Sequence, residues 1–171
     1  LYYRKDHHWT TDGAAIAFGV WKPWLDFLGT KENVLTEDFQ GTLYSKVLWD
    51  DGHRDTISAF TAPEQDGYKV TADGKVMLGG MYQRQFLEKK DKYAVFFGGN
   101  YGRLAIETGK KETGQNLLII KDSFANCFAP LAAYHYDNVY MVDLRYFSGN
   151  LAEYAAEQGI TEVLTLYSME N

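Results

Sequence analysis

The sequence has almost no cysteine, which excludes an internal disulfide. Its single cysteine, Cys127, has no partner within the chain. A lone cysteine is compatible with the cytosol and with a bacterial surface. The 171 residues are enough for one domain with a sizeable hydrophobic core, so we expect a single domain over residues 1–171.

The sequence also lacks an excess of positive charge, long apolar runs and targeting signals. Seventeen basic against 23 acidic residues give a net charge of −6, which argues against nucleic acid as the main partner. No apolar run has transmembrane length, and no signal peptide is present. The chain begins at Leu1 rather than Met. We interpret it as a fragment or processed form that lacks its N-terminal portion, through which alone we would expect any membrane contact.

An apolar run in the last third of the chain ends in a serine and is followed at once by a helix-like run. Residues 117–121 are typical of a buried parallel strand, and Ser123 comes just after it, at the start of a helix predicted over residues 124–136. In open α/β sheets, ligands bind at the C-terminal ends of the strands. Backbone N–H groups and the positive end of a helix dipole would both suit an oxyanion there.

A serine nucleophile needs a base, and the best candidate lies near the N-terminus. A neutral histidine accepts a hydroxyl proton, and a carboxylate fixes its tautomer. Asp6 and His8 are two residues apart, so on an extended segment their side chains point the same way. Asp6, His8 and Ser123 therefore form a candidate triad. His7 is expected to point away as a structural residue, and Trp9 to pack against the start of the following helix.

The remaining pattern predicts an α/β fold. The last third alternates strand and helix as β-α-β-α-β, which is typical of a parallel sheet with right-handed crossovers. Between the Asp-His segment and the serine strand we expect a β-rich insertion of short antiparallel strands, over about residues 40–97. The predicted elements are a helix over residues 10–28 interrupted near Pro23, a hairpin over 70–76 with Asp73-Gly74 in its turn, a short helix over 82–89, strands over 93–97, 139–144 and 162–167, and a helix over 150–158.

Three stretches resemble one protein family. Asp6-His7-His8-Trp9 matches the motif that names the DHHW family, and Lys121-Asp122-Ser123-Phe124 and Val142-Asp143-Leu144-Arg145-Tyr146-Phe147 look like its other signature stretches. That family is similar to SGNH hydrolases, especially to the SGNH-like proteins that O-acetylate bacterial exopolysaccharides such as alginate. Their pattern Asp-x-His-Trp-Thr followed by Gly-Ala reads here as Asp6 to Thr10 and then Gly13-Ala14.

The resemblance implies a three-layer SGNH-hydrolase-like, flavodoxin-like fold with a parallel sheet. It implies Ser123 as nucleophile, His8 as base and Asp6 as its orienting acid, in an acyl esterase or O-acetyltransferase that works through an acyl-serine. The implied partner is a polysaccharide or acylated sugar, and the implied location is extracellular or at the bacterial cell envelope. No cofactor and no metal are expected.

The resemblance departs from the ordinary SGNH pattern in two respects. The serine follows the Asp-His pair instead of preceding it, as in the acetyltransferase-like branch, and Lys121 stands where a glycine is usual. The oxyanion-hole glycine and asparagine also have no unambiguous equivalents. By strand order Arg145 and Tyr146 occupy the glycine position and Asn171 the asparagine position, and Asn100, which follows two glycines, is the alternative for the asparagine position.

Other interpretations predict different behaviour. A non-catalytic carbohydrate-binding or surface-interaction protein on the same fold would leave Asp6, His8 and Ser123 beyond hydrogen-bond reach and expose an aromatic patch. A metal-dependent phosphoesterase with an Asp-His-His motif would need further ligands, and only His53 and His135 remain as histidines. Asp143 and Arg145 could form only an ion pair, and Asp122 could cap the helix after Ser123.

Overall fold

The computed structural model describes residues 1–25, 31–48 and 50–169, and they form a mixed α/β fold. The α-helices are α1 (Thr11–Trp21), α2 (Gly41–Val47), α3 (Ala129–Ala133) and α4 (Leu151–Glu157). The strands are β1 (Lys31–Phe39), β2 (Asp55–Thr61), β3 (Lys69–Ala72), β4 (Lys75–Val76), β5 (Arg103–Glu107), β6 (Asn116–Lys121), β7 (Asn138–Val142) and β8 (Glu162–Leu166). None of the helices in this part of the chain has the length and apolar character of a membrane span.

The main sheet has six strands in the order β4-β3-β5-β7-β6-β8. Strand β6 pairs in parallel with both β7 and β8, as the alternating pattern of the last third predicts. The expectation of a parallel sheet is wrong for the other half, because β5 runs antiparallel to β7 and β3 antiparallel to β5. Neither antiparallel pair is joined by a tight turn, because about 35 residues separate each residue of β5 from its partner in β7, and β3 and β5 are also far apart in sequence. The sheet is therefore mixed.

Alternate residues of the central strands face two hydrophobic clusters, as the two-residue period of a strand requires. Leu117 and Ile119 of β6 belong to the larger cluster, which includes residues of α1 and α3. Leu118 of β6 belongs to a smaller cluster, against which Leu151 and Tyr154 of α4 pack. Helices thus cover both faces of the parallel strands. Ser123 follows the C-terminal end of β6, which lies where the C-terminal ends of the three parallel strands meet.

The segment between the Asp-His motif and β6 contains both the predicted hairpin and elements that were not predicted. The β3–β4 hairpin is confirmed, and Asp73 and Gly74 adopt positive φ angles of 46° and 81° in its turn. Residues 41–47 are a helix, which was not predicted. Strand β2 is one of the expected short antiparallel strands, but it pairs with the unpredicted β1 in a separate two-stranded sheet. Residues 93–97 are not a strand: a 3-10 helix covers Lys92–Val95, and Phe96 makes only an isolated bridge to Tyr82.

Three predicted helices are shorter in the structure than in the prediction. Helix α1 ends at Trp21, because Pro23 cannot continue it, and Trp24 after it is exposed. Residues 26–28 lie outside the described residues. The helix over 124–136 is divided into a 3-10 helix, Ser123–Asn126, and α3, with Pro130 in the first turn of α3. The short helix at 82–89 is a 3-10 helix over Arg84–Glu88.

Candidate functional site

The Asp-His segment is a compact loop rather than the extended strand that we predicted. Backbone hydrogen bonds from Tyr3 N to His8 O and from Thr10 N to Leu1 O close the loop. Within it, Asp6 Oδ1 accepts hydrogen bonds from both the backbone N–H of His8, at 2.9 Å, and the ring Nδ1 of His8, at 2.5 Å. A short Asp side chain that bonds the amide two residues on bends the backbone. The bend still directs Asp6 onto the His8 ring.

The other ring nitrogen of His8 reaches the predicted serine. His8 Nε2 lies 2.8 Å from Ser123 Oγ, across 115 residues of sequence. Asp6 and His8 are buried, while Ser123 is half-buried. Ser123 begins the 3-10 helix after β6, and Asp122 caps that helix by accepting from Phe124 N at 2.9 Å. The structure therefore brings Asp6, His8 and Ser123 into one continuous hydrogen-bonded chain.

Aromatic rings hold the imidazole of His8 in place. The Tyr93 ring stacks on it with 3.8 Å between centroids and 13° between planes. The Tyr93 hydroxyl donates to the carbonyl of Ser123 at 3.2 Å, and burial raises the pKa of Tyr93, so the hydroxyl stays protonated. Trp9 does pack near the start of α1, but its Nε1 also donates to Phe124 O at 2.8 Å. The Trp9 bond connects the Asp-His segment directly to Phe124, and Tyr93 contacts both His8 and Ser123.

Asp6 is held as a carboxylate by the groups around it. Burial alone would raise its pKa, but hydrogen bonds from the His8 ring and from the backbone N–H groups of His8 and Thr42 hold the pKa well below the usual range. Its outer oxygen, Oδ2, accepts from Thr42 N at 2.7 Å and from Thr42 Oγ1 at 2.9 Å. The charge that would stabilise a His8 imidazolium is therefore present at neutral pH.

A buried lysine fixes the chain just before Asp6. Lys5 Nζ donates to Asp50 Oδ1 at 3.0 Å and to the carbonyl of His53 at 2.8 Å, and forms an ion pair with Asp51 at 2.6 Å. The backbone N–H of Lys5 donates to Asp55 Oδ2 at 3.1 Å. The loop that precedes β2 thus positions the Asp-His segment. Lys5 and Thr42 were missed from the sequence because their partners lie 35 to 50 residues away from them.

The structure does not bring Arg145 and Tyr146 onto the serine. The guanidinium of Arg145 bonds both oxygens of buried Asp143, at 2.9 and 2.6 Å, which is the predicted ion pair. Asp143 raises the pKa of Arg145 further above its ordinary value. Tyr146 is 59% exposed. Within the described residues, no hydrogen bond or ring contact joins either side chain to Ser123. Their assignment as oxyanion or substrate residues stays a prediction.

Asn100 lies in a polar cluster at the C-terminal end of β6. Its side-chain oxygen accepts from Lys121 Nζ at 2.8 Å and from Asn126 Nδ2 at 3.3 Å, and Lys121 also donates to Asn126 Oδ1 at 2.7 Å. Because an ammonium group only donates, the Asn100 oxygen must face it, which leaves the Asn100 NH2 group as a donor. Burial lowers the pKa of Lys121 to about 8. Asn171, the other candidate, lies outside the described residues.

His7 lies beside the candidate site, so the expectation that it points away is wrong. Its ring centroid is 3.8 Å from that of His8, and its Nδ1 lies 2.8 Å from Thr42 Oγ1. Asp6, His7 and His8 offer ligand atoms within 4.8 Å of one another, a spacing that would suit a metal ion. The Asp6 oxygens and the His8 nitrogens, however, are already engaged with protein groups. A metal would have to displace these hydrogen bonds.

Comparison with known proteins places the chain in a family. A family profile described as "DHHW protein" matches residues 1–142, and the chain belongs to the DHHW family. The match includes both Asp6-His7-His8-Trp9 and the Ser123 stretch. No curated protein sequence matches the chain.

Solved structures share the fold. A DHHW family protein from Eubacterium siraeum is 28% identical, with a TM-score of 0.75 over 97% of this chain and 58% of its own. Bacillus cereus PatB1 with a sulfonyl adduct is 22% identical, with a TM-score of 0.76 over 99% of this chain and 61% of its own. Another structure of PatB1 is 21% identical, with a TM-score of 0.76 over 99% and 63%. The chain therefore spans about six tenths of the length of these structures.

Proposed function

We propose that this chain is a serine acyl esterase or O-acetyltransferase of SGNH type that acts on an acylated cell-surface polysaccharide. The observation that carries the proposal is the continuous hydrogen-bonded chain from Asp6 through His8 to Ser123, with 2.8 Å between His8 Nε2 and Ser123 Oγ. A hydroxyl within hydrogen-bond reach of an imidazole, itself oriented by a carboxylate, is the arrangement that activates a serine nucleophile.

The reaction would proceed in two acyl transfers. His8 Nε2 takes the proton of Ser123 Oγ as that oxygen attacks the acyl carbonyl carbon, and the carbonyl oxygen becomes an oxyanion. The tetrahedral intermediate collapses, its bond to the alcohol oxygen breaks, and the His8 imidazolium returns the proton to that leaving oxygen. The acyl-serine is then attacked by water or by a sugar hydroxyl, whose proton His8 accepts and passes to Ser123 Oγ. Water makes the protein an esterase, and a sugar hydroxyl makes it a transferase.

Two donors are proposed for the oxyanion. The backbone N–H of Ser123 has no hydrogen-bond acceptor among the residues that the structure describes, while the next amide, Phe124 N, is occupied by Asp122. The Asn100 NH2 group is the second donor, since Lys121 and Asn126 hold its oxygen away. Donors fixed before the reaction stabilise a developing charge without a reorganisation cost.

The fold is proposed to be the three-layer, flavodoxin-like arrangement of SGNH hydrolases. Three features support it: the parallel order β7-β6-β8, the helices on both faces of these strands, and the position of Ser123 after the C-terminal end of the middle strand. Ligand sites of open α/β sheets lie at this edge. The polysaccharide substrate and the envelope location rest on the family resemblance, which is an argument by analogy.

The test is hydrolysis of p-nitrophenyl acetate by the wild type and by Ser123→Ala, each with and without a chelator. Ser148→Ala is the matched control, because Ser148 is an exposed serine in the loop after β7. We expect activity that survives chelation and the Ser148 substitution but falls by about three orders of magnitude or more in Ser123→Ala. A second arm adds oligosaccharide acceptors and measures acetylated sugar by mass spectrometry, which separates transferase from esterase.

A wild type no faster than Ser123→Ala would contradict the enzymatic proposal. The carbohydrate-binding interpretation would then be preferred and could be tested with acetylated polysaccharides. Activity that is lost on chelation and restored by a divalent metal would instead favour a metal centre at Asp6, His7 and His8.

A further inference from the structure

The outer oxygen of Asp6 has its own dedicated partner. Oδ1 is turned to His8, whereas Oδ2 accepts both the backbone N–H and the hydroxyl of Thr42, at 2.7 and 2.9 Å. The carboxylate therefore accepts four hydrogen bonds, two on each oxygen. Since the plane of a carboxylate is fixed once both of its oxygens are bound, Thr42 controls the angle at which Asp6 presents Oδ1 to the His8 ring.

Helix α2 is pressed against Asp6 closely enough to fix Thr42 there. Gly41 has a φ of +56°, and a Cβ at this position would overlap the Asp6 Cβ and lie 2.6 Å from the Lys5 carbonyl. Leu43 N donates to the same carbonyl at 3.0 Å. Only glycine allows this approach, because the left-handed backbone and the missing Cβ are both required. The first residues of α2 thus hold the Lys5-Asp6 peptide and the Asp6 carboxylate together.

The protons of this cluster can be assigned from its chemistry. A carboxylate only accepts, so the single proton of the Thr42 hydroxyl points to Asp6 Oδ2. The Thr42 oxygen is then the acceptor for His7 Nδ1, 2.8 Å away, and His7 must carry a proton on Nδ1. The resulting hydrogen-bond chain runs from His7 through Thr42 and Asp6 to His8 and Ser123. His7 stands at its outer end, with its side chain 32% exposed.

We propose that Thr42 is a positioning residue of the acyl-transfer site and that His7 acts through Thr42. This inference rests on the function proposed above. The Thr42 hydroxyl holds Asp6 so that its inner oxygen stays aligned with His8 Nδ1, and His7 fixes the hydroxyl in the orientation that donates to Asp6. Neither side chain needs to touch the substrate. The expected effect is therefore on the chemical step and not on substrate binding.

The first experiment compares Thr42→Val with Thr42→Ser. Valine keeps the shape and the backbone N–H but removes the hydroxyl, whereas serine keeps the hydroxyl. For p-nitrophenyl acetate we expect kcat to fall by about tenfold or more in Thr42→Val, the loss expected for one charge-assisted hydrogen bond. KM should be unchanged, and Thr42→Ser should stay within about threefold of the wild type. Equal losses in the two variants would overturn the role of the hydroxyl, as would an unchanged kcat in Thr42→Val.

The second experiment tests whether His7 acts through Thr42. His7→Phe keeps a ring next to His8 but cannot donate to Thr42. It is measured alone and in the Thr42→Val background. If His7 acts through the hydroxyl, its substitution lowers kcat in the wild type and has no further effect once the hydroxyl is gone. Losses that multiply in the double variant would overturn this part of the proposal.

A spectroscopic measurement separates a failure of this inference from a failure of the proposed function. The Nδ1 proton of a histidine bonded to a carboxylate gives a strongly downfield NMR resonance, which does not depend on turnover. We expect the His8 signal in the wild type and in Thr42→Ser, and its shift or loss in Thr42→Val. An unchanged signal in Thr42→Val overturns the positioning role. A wild type with this signal but without Ser123-dependent hydrolysis overturns the proposed function and, with it, the catalytic meaning of the contact.

Discussion

Replacing Asp6 with asparagine should disable the site while leaving the chain folded. The carboxylate accepts four hydrogen bonds, two from His8 and two from Thr42, and asparagine can offer only one oxygen. If its NH2 group faces His8, the His8 backbone N–H loses its acceptor, and the ring must carry its proton on Nε2, which faces Ser123. If it faces Thr42, the Thr42 backbone N–H loses its acceptor and the imidazolium loses its counter-charge.

The magnitude follows from these losses. An imidazole with its proton on Nε2 cannot take the Ser123 proton, and in serine-protease triads the equivalent change lowers kcat by about 10⁴-fold. We expect a decrease of about 10³- to 10⁴-fold here, which corresponds to a barrier higher by about 4 to 5.5 kcal/mol. One buried backbone N–H without an acceptor costs about 1 to 3 kcal/mol of stability. The variant should therefore fold, with a lower free energy of unfolding.

A buried carboxylate far from the site provides the control. Asp137 precedes β7, and its oxygens accept hydrogen bonds from the backbone N–H groups of Glu112, Thr113 and Gly114. It stands before the N-terminal end of β7, whereas Ser123 follows the C-terminal end of parallel β6. Asp137→Asn should lose comparable stability without losing kcat. The reasoning would be refuted if folded Asp6→Asn kept its kcat within about threefold of the wild type.

The low pKa of Asp6 determines the pH range in which the carboxylate keeps its charge. Its folded-state pKa lies below the unfolded value of 3.8, so the stability that its ionised form contributes is present above that value and is lost only as pH falls through the folded pKa. A loss of activity between about pH 5 and pH 7 would therefore not reflect protonation of Asp6. The pH profiles of kcat for the wild type and for Asp137→Asn should coincide in this range.

Three further predictions concern the side chains Trp9, Tyr93 and Lys121, which lie around Ser123 and the end of β6. Trp9→Phe removes the bond to the Phe124 carbonyl and should lower the free energy of unfolding in urea by about 1 kcal/mol or more. Tyr93→Phe removes the bond to the Ser123 carbonyl but keeps the ring on His8, so kcat should stay within about tenfold of the wild type, whereas Tyr93→Ala should lower it further. Lys121 has a folded pKa of about 8 against 10.5 in the unfolded state, so between these pH values the unfolded state binds more protons. The stability of the wild type should therefore rise relative to Lys121→Met from pH 8 to 10.5, by up to about 3 kcal/mol in urea titrations.

The sequence was most informative where a local pattern determines the structure. Strands β6, β7 and β8 and helix α4 lie within two residues of their predicted ends, because each has an unbroken periodic pattern between clear stop signals. The turn at Asp73-Gly74 was predictable because that residue pair favours positive φ angles. The antiparallel direction of β5 was not predictable in this way, because it depends on pairing with β7 across about 35 residues.

The candidate site was predictable as a set of residues but not as a geometry. The types and order of Asp6, His8 and Ser123 indicated a triad, and the structure brings these three side chains together. The hydrogen bond from the His8 amide to Asp6 bends this segment, so its side chains do not alternate as in an extended strand. The prediction that His7 points away from His8 was wrong for this reason. Thr42 gave no signal, since a threonine in a polar stretch has many uses. The only local feature that marks Thr42 is the glycine before it, Gly41, at the start of α2.

The most direct test of the central claim is covalent labelling of the serine by a sulfonyl fluoride, followed by mass spectrometry of the digested protein. Sulfonylation requires an activated nucleophile, so we predict a single adduct on the peptide that contains Ser123, and its absence in Ser123→Ala and in folded His8→Ala. Ser148 should remain unmodified in all of them. If Ser123 stays unlabelled in the wild type, or is labelled equally well without the His8 imidazole, then His8 does not activate it and the account is contradicted.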